Sequence, residues 1–200
     1  MPLRLLISRE ALLFGAIVVL VGLVSIRFPI FLTPSNLLGV FNDTSPLILL
    51  AIGQMIVILT KCIDLSVAAN LALTGMVVAM INVVAPTMPV FVIILVAVAL
   101  GTLMGIFNGL LVWKLDIPPI VVTLGTMTIF RGIIFLISDG KWVNSHEMTP
   151  AFKAFPRAEV LGMPMMSWTA ILAVIIFVIV MRQTTLGRAF YAVGGNPHAA

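Results

Sequence analysis

Met88 to Trp113 reads MPVFVIILVAVALGTLMGIFNGLLVW and carries no charged residue. At about 1.5 Å rise per residue, a helix of that length crosses the roughly 30 Å hydrocarbon core of a bilayer. Five further apolar runs flank it. They extend from about Ala11 to Ile26 (with a possible extension to Leu32), Ser45 to Thr60, Leu65 to Val84, Ile117 to Ile137 and Ser167 to Met181. The expected fold class is an all-α polytopic transmembrane helix bundle of about six spans.

Composition agrees. Of 200 residues, 62% are hydrophobic and only 9% charged, against roughly a quarter charged in a soluble domain. Mean hydropathy is +1.25. The net charge of +4 is spread singly at the ends of the apolar runs. That pattern fits membrane topology and excludes nucleic-acid binding, which needs a basic cluster interleaved with aromatics. Arg4 and Arg9 precede the first run, but no small-x-small cleavage site follows it, so it reads as an uncleaved span. Cys62 is the single cysteine and has no Cys or His neighbour in sequence. It reads as a small apolar residue near a membrane boundary.

The connections are short except for one. Pro29, Pro34, Ser35, Asn36, Asn42 and Asp43 suggest a polar link after the first run. Lys61 to Asp64 reads as a tight turn, as does Ala85 to Pro89, and Lys114 to Asp116 separates the fourth and fifth spans. Pro118 and Pro119 open the fifth helix, where a missing N–H costs little. The long loop, 138–166, carries Lys141, Glu147, Lys153, Arg157 and Glu159 and is expected to be folded or partly folded. With the N-terminus cytoplasmic, the inner segments hold Arg4, Arg9, Lys61, Lys114, Arg182 and Arg188. The outer ones hold Arg27, Lys141, Lys153 and Arg157. The loop at 138–166 is then external, and 182–200 returns to the cytoplasm.

Gly101, Gly105 and Gly109 recur every four residues and mark a flat face for close helix packing. Trp113, Trp142 and Trp168 fall near span ends, as headgroup-level anchors do. No carboxylate lies within a span, which weighs against a gradient-driven carrier, although backbone carbonyls can hold sodium. No phosphate-binding loop, metal cluster, paired carboxylates or nucleophile elbow is present, so no cofactor or metal and no enzymatic step is expected in this chain. His146 and His198 are isolated. Gln54, Asn70 and Asn108 are polar but uncharged within spans, suited to a neutral polyhydroxyl ligand or to helix–helix hydrogen bonds. Arg131 lies fourteen residues past Ile117, roughly 21 Å along its helix. There it either snorkels to the outer surface or lines a polar path.

After the sixth span come Gly187 and Arg188, then Gly194 and Gly195, which permit a sharp turn. Asn196 is a good N-cap and Pro197 a favoured first helical residue, so a new helix should begin there. The stretch Thr184 to Ala200, T-x-x-G-R-x-x-Y-A-x-G-G-N-P-x-A-A, resembles the cytoplasmic coupling loop of bacterial ABC-importer permeases of the ribose and monosaccharide type. GQMIVILTKCIDLSVAANLALT (Gly53 to Thr74) is similar to that family's GQ-x-x-VILT-x-x-IDLSV pattern. IPPIVVTLGTMTIFRG (Ile117 to Gly132) resembles its fifth-helix segment. Gly140 to Val143 resembles the rhamnose and autoinducer-2 subfamilies.

The resemblance implies a permease subunit that forms the path for a monosaccharide or small polyol in the bacterial inner membrane. Its implied partners are ATP-binding subunits using ATP and Mg, a second permease copy or paralogue, a periplasmic sugar-binding protein and membrane lipid. Gly187, Arg188, Gly194, Gly195, Asn196, Pro197, Ala199 and Ala200 would contact the ATPase. The chain departs from the family at Lys61 and Cys62, where two glycines are usual, and at Ala68, where a glycine is usual. It also stops inside the motif, so residues 1–200 are expected to be an incomplete permease domain. Two other readings remain open: a gradient-driven carrier or facilitator, and a short product that does not transport.

Overall fold

A computed structural model describes residues 9–195. Asn196, Pro197, Ala199 and Ala200, with the helix expected to begin there, lie outside the described residues. By internal contacts the chain divides into two units, residues 1–44 and 45–200.

In the first unit, α1 (Arg9–Arg27) has Glu10 in its first turn and Arg27 in its last, each complementing the helix dipole. A 3-10 turn (Pro29–Leu32) follows. The next helix, α2 (Pro34–Leu59), runs from the first unit into the second and begins earlier than the apolar run suggests. Thr33 Oγ1 accepts the Asn36 N–H at 3.4 Å, Pro34 opens the helix, and Asn36 Nδ2 donates to the Phe31 carbonyl at 2.8 Å. The stretch from Pro34 to Asp43, expected as a polar link, is therefore helical. A capped start with proline in the first turn outweighs the weak helix propensity of Asn and Asp. Pro46 sits inside α2, where it leaves the Asn42 carbonyl without its usual i+4 donor.

The core of the second unit is built from α3 (Val67–Val84), α4 (Val90–Leu115) and α5 (Pro119–Ser138), with α3 packed on both of the others. Ala69, Leu73, Met104 and Phe130 form its centre, ringed by Val77, Leu100 and Met127. In lipid such a core gains little from excluding water, so side-chain packing and interhelical hydrogen bonds must hold it. Of the buried polar residues, Ser66, Asn82, Asn108, Thr123 and Thr126 lie on these helices or at their ends. Asp116 and Asp139 end α4 and α5 in the left-handed conformation at φ 53° and 54°. Asp and Asn tolerate that region better than most residues.

The loop at 138–166 is folded, as its prolines and charges suggested. Thr149 caps α6 (Pro150–Ala154) by accepting the Phe152 N–H. A 3-10 turn (Phe155–Arg157) leads into a two-stranded hairpin, β1 (Glu159–Val160) and β2 (Met163–Pro164). Leu161 and Gly162, both at positive φ, make its turn. Asn82 of α3 clasps this loop from two directions. Its Nδ2 donates to Thr149 Oγ1 at 2.9 Å, and its Oδ1 accepts the Thr149 N–H at 2.8 Å. Trp168 donates its indole N–H to the Val160 carbonyl at 2.8 Å, which fixes the hairpin to α7 (Met165–Gln183).

Among the described residues six helices (α1 to α5 and α7) are long and apolar enough to cross a membrane. The last described helix, α8 (Thr185–Gly195), is shorter and amphipathic. Gly187 and Arg188 therefore belong to a separate helix rather than to the run-out of the sixth span. Gly194 and Gly195, expected as a turn, are helical and are its last described residues.

Candidate functional site

The site is built where α8 meets the ends of α2 and α7. Thr184 Oγ1 accepts the Gly187 N–H at 3.2 Å and so caps α8 immediately after α7 ends. The corner is tight. A Cβ added at Gly187 would collide with the Val180 and Met181 carbonyl oxygens. A Cβ at Gly194 would overlap the carbonyl of Leu59 in the last turn of α2. These glycines are seven residues apart, two helical turns, and so share one face of α8. That face rests on backbone at both ends. Arg188, Leu186 and Tyr191 are exposed, leaving them free to meet another chain.

The end of α2 is shaped by Lys61. It adopts φ 60°, and the Cys62 N–H reaches back to the Val57 carbonyl at 3.1 Å in a Schellman-type cap. Its ammonium donates to the Gly195 carbonyl at 3.3 Å, linking the turn to the end of α8. A non-glycine residue in this conformation costs roughly 1 kcal/mol. Lys61→Gly should therefore raise the chain's unfolding midpoint by about 2–4 °C in detergent, even though it removes the exposed contact to Gly195. A lowered midpoint would mean that the contact to Gly195 outweighs the strain.

Beyond the turn, the segment before α3 is pinned from three helices. Asp64 Oδ1 accepts both the N–H and the hydroxyl of Ser66, at 2.7 and 2.6 Å. Asn108 of α4 donates to Ser66 Oγ at 2.8 Å. Gln54 of α2 donates to the Asp64 carbonyl at 3.2 Å, and Thr123 of α5 lies 3.4 Å from the Ile63 carbonyl. Beside this network is a cavity of about 220 Å³, lined by Thr60, Cys62, Asp64, Gly105, Asn108 and Thr123 among others. The Asn108 and Gln54 side-chain oxygens are buried without a partner.

The polar residues singled out from sequence thus separate. Gln54 and Asn108 converge on Asp64 and Ser66. Asn70 lies farther along α3, donating to the Gly101 carbonyl at 3.4 Å and accepting from Thr74. Arg131 belongs to a different cavity, with Lys141 and Trp142. Of the three glycines in α4, Gly101 faces Asn70, whereas Gly105 and Gly109 have open space where a side chain would be and border the cavity near Asp64. Sequence reasoning missed Lys61, Asp64 and Ser66 as site residues. The signal for Asp64 was a carboxylate two positions ahead of a serine that starts an apolar helical run. Among the described residues no group of His, Cys, Asp and Glu could hold a metal ion.

Comparison with known proteins places these features in a family. A family model described as "Branched-chain amino acid transport system / permease component" matches residues 36–200. The ribose import permease protein RbsC of Haemophilus influenzae is 34% identical over 198 residues, covering 98% of this chain and 60% of that protein. RbsC of Bacillus subtilis is 40% identical over 187 residues, 94% of this chain and 58% of the relative. The autoinducer 2 import system permease protein LsrC of an Enterobacter species is 37% identical over 196 residues, 98% of this chain and 56% of the relative. The chain thus spans a little over half the length of these relatives. No solved structure matches it. With its six membrane-length helices and the match over residues 36–200, the chain is a multi-pass membrane protein belonging to the permease-component family of branched-chain amino acid transport systems.

Proposed function

We propose that this chain is part of a permease subunit of an ATP-driven importer, forming the path for a monosaccharide or related small polyol. The observation that carries the reading is the seating of α8. Gly187 and Gly194 bring one face against the backbone of α7 and α2, while the Arg188 and Tyr191 side chains stay exposed. A helix so placed turns a push from outside into movement of two spans. The ribose and autoinducer-2 importers among its relatives support the substrate class.

In this reading α8 and residues 196–200 face the cytoplasm and meet ATP-binding subunits, which hold ATP and Mg and carry out hydrolysis. The N-terminus is cytoplasmic, the membrane is the bacterial inner membrane, and the folded loop at 138–166 faces a periplasmic sugar-binding protein. A second permease copy or paralogue completes the path. Asn70 and the cavity beside Gln54 and Asn108 are the candidate polar points along it.

The test is co-purification from native membranes with an ATP-binding subunit. Arg188→Glu combined with Tyr191→Ala should cut the recovered ATPase by at least about tenfold, given one or two contact residues at 1 kcal/mol or more each. The amount of chain in the membrane should stay unchanged. Full ATPase recovery by this variant would exclude the exposed face of α8 as the docking surface.

A further inference from the structure

We infer that the cavity between α3, α5 and the start of the 138–166 loop is a binding site for one anionic glycerophospholipid of the leaflet at that end. The cavity measures about 240 Å³. Ala72, Met76, Ile134 and Phe135 form its wall, and Arg131 and Lys141 supply its charge. Among the described residues neither cation has a carboxylate partner. Glu147, which borders an adjoining cavity with Lys141, accepts the Asn144 N–H at 2.5 Å instead. That hydrogen bond and the Asn144 side chain hold the Glu147 carboxyl below the usual carboxylate range.

The placement is that of a headgroup site. Arg131 lies seven residues before Ser138, the end of α5, so its Cα is roughly 10 Å below the helix end. From there the arginine side chain lines the same cavity as Ser138, Lys141 and Trp142, as a snorkelling cation near a span end does. Lys141 is carried back over the same helix end by two residues in the left-handed region, Asp139 at φ 54° and Gly140 at φ 69°. Beside it Trp142 is 81% exposed, an amphipathic ring at the depth where such rings collect.

The chemistry selects the ligand class. Arginine, lysine and tryptophan donate hydrogen bonds and accept none. A neutral polyol needs acceptors for its hydroxyl protons, and this cavity's side chains supply only Ser138. A phosphodiester takes two cationic donors well, and the apolar wall, with Phe135 69% exposed, suits an acyl chain.

The test is native mass spectrometry of the full chain, with any partners that remain bound, released from nanodiscs of phosphatidylcholine and phosphatidylglycerol. We expect one phosphatidylglycerol retained in preference to phosphatidylcholine. Arg131→Gln and Lys141→Gln should each lower that preference about fivefold, and Arg131→Lys should keep it. Circular dichroism checks that helix content is retained. Lys141→Gln lies on the exposed turn and serves if Arg131→Gln fails to insert. Equal retention of the two lipids would overturn the proposal, as would a double variant that keeps its phosphatidylglycerol. Displacement by soluble glycerol 3-phosphate at concentrations matching the lipid would also overturn it, because the acyl wall would then contribute nothing.

Discussion

Gly194→Leu should lower ATP-dependent uptake by roughly ten- to a hundredfold in membranes that contain the complete transport system, while the chain still inserts. A side chain at this position has nowhere to go. Its Cβ alone would overlap the Leu59 carbonyl, and a backbone oxygen at a helix end cannot rotate away as a side chain can. Overpacking of this kind costs about 1–3 kcal/mol, and each 1.4 kcal/mol shifts a coupled equilibrium about tenfold. The strain is relieved if α8 lifts off α2. That also separates the Lys61 ammonium from the Gly195 carbonyl, now 3.3 Å apart. Gly194→Ala should show the same defect, smaller but present, because the clash begins at Cβ. Uptake assays with insertion checked by protease protection read both variants. Normal uptake in Gly194→Leu would remove α8 seating from the proposed mechanism.

Asp64→Ala should be the most destabilising exchange in the turn region, lowering the unfolding midpoint by about 5–10 °C. One carboxylate oxygen holds both the N–H and the hydroxyl of Ser66, and Ser66 is fully buried. Hydrogen bonds to a charged group contribute about 1.5–3 kcal/mol each, and a buried donor left unmade adds its desolvation cost. Losing them also frees Ser66 Oγ, which now receives the Asn108 amide at 2.8 Å, so the defect spreads to α4. Taking about 3 kcal/mol in total, the lower end for two such bonds, gives roughly the stated shift for a chain of this size. Asp64→Asn retains an acceptor at the same place and should lose less than half as much. Thermal unfolding in detergent distinguishes the two. Equal midpoints for Asp64→Ala and the parent would show that Ser66 finds another acceptor.

The spans were legible because each is a long run with almost no charge, and in lipid a single apolar run of that length satisfies its own backbone only as a helix, a barrel needing many paired strands. The early start of α2 was not. Asn36, Asn42 and Asp43 have low helix propensity in water, but here the helix is set by Thr33 and Pro34 at its beginning and by the apolar run that follows. The glycines of α8 misled in the opposite sense. Glycine in sequence suggests a turn, yet Gly194 is required by what lies against it, the Leu59 carbonyl 135 positions earlier in the chain, and no local pattern reports a contact that distant. Lys61 was equally opaque, because a lysine gives no sign that its backbone is left-handed. Gln54, Asn70 and Asn108 were recognisable as polar groups in apolar surroundings. Their separation into a cluster near Asp64 and a pair along α3 depends on helix rotation, which composition does not encode.

Asn82 and Ser66 sit near opposite ends of α3, sixteen residues and so roughly 24 Å apart. Each is buried to about 1% or less exposure and each is tied to a loop rather than only to neighbouring helices. A hydrogen-bonded helix neither shortens nor stretches under small loads, so α3 fixes the spacing between these two attachments. A displacement of α3 along its axis would carry the Asn82–Thr149 contact and the Ser66–Asp64 contact with it.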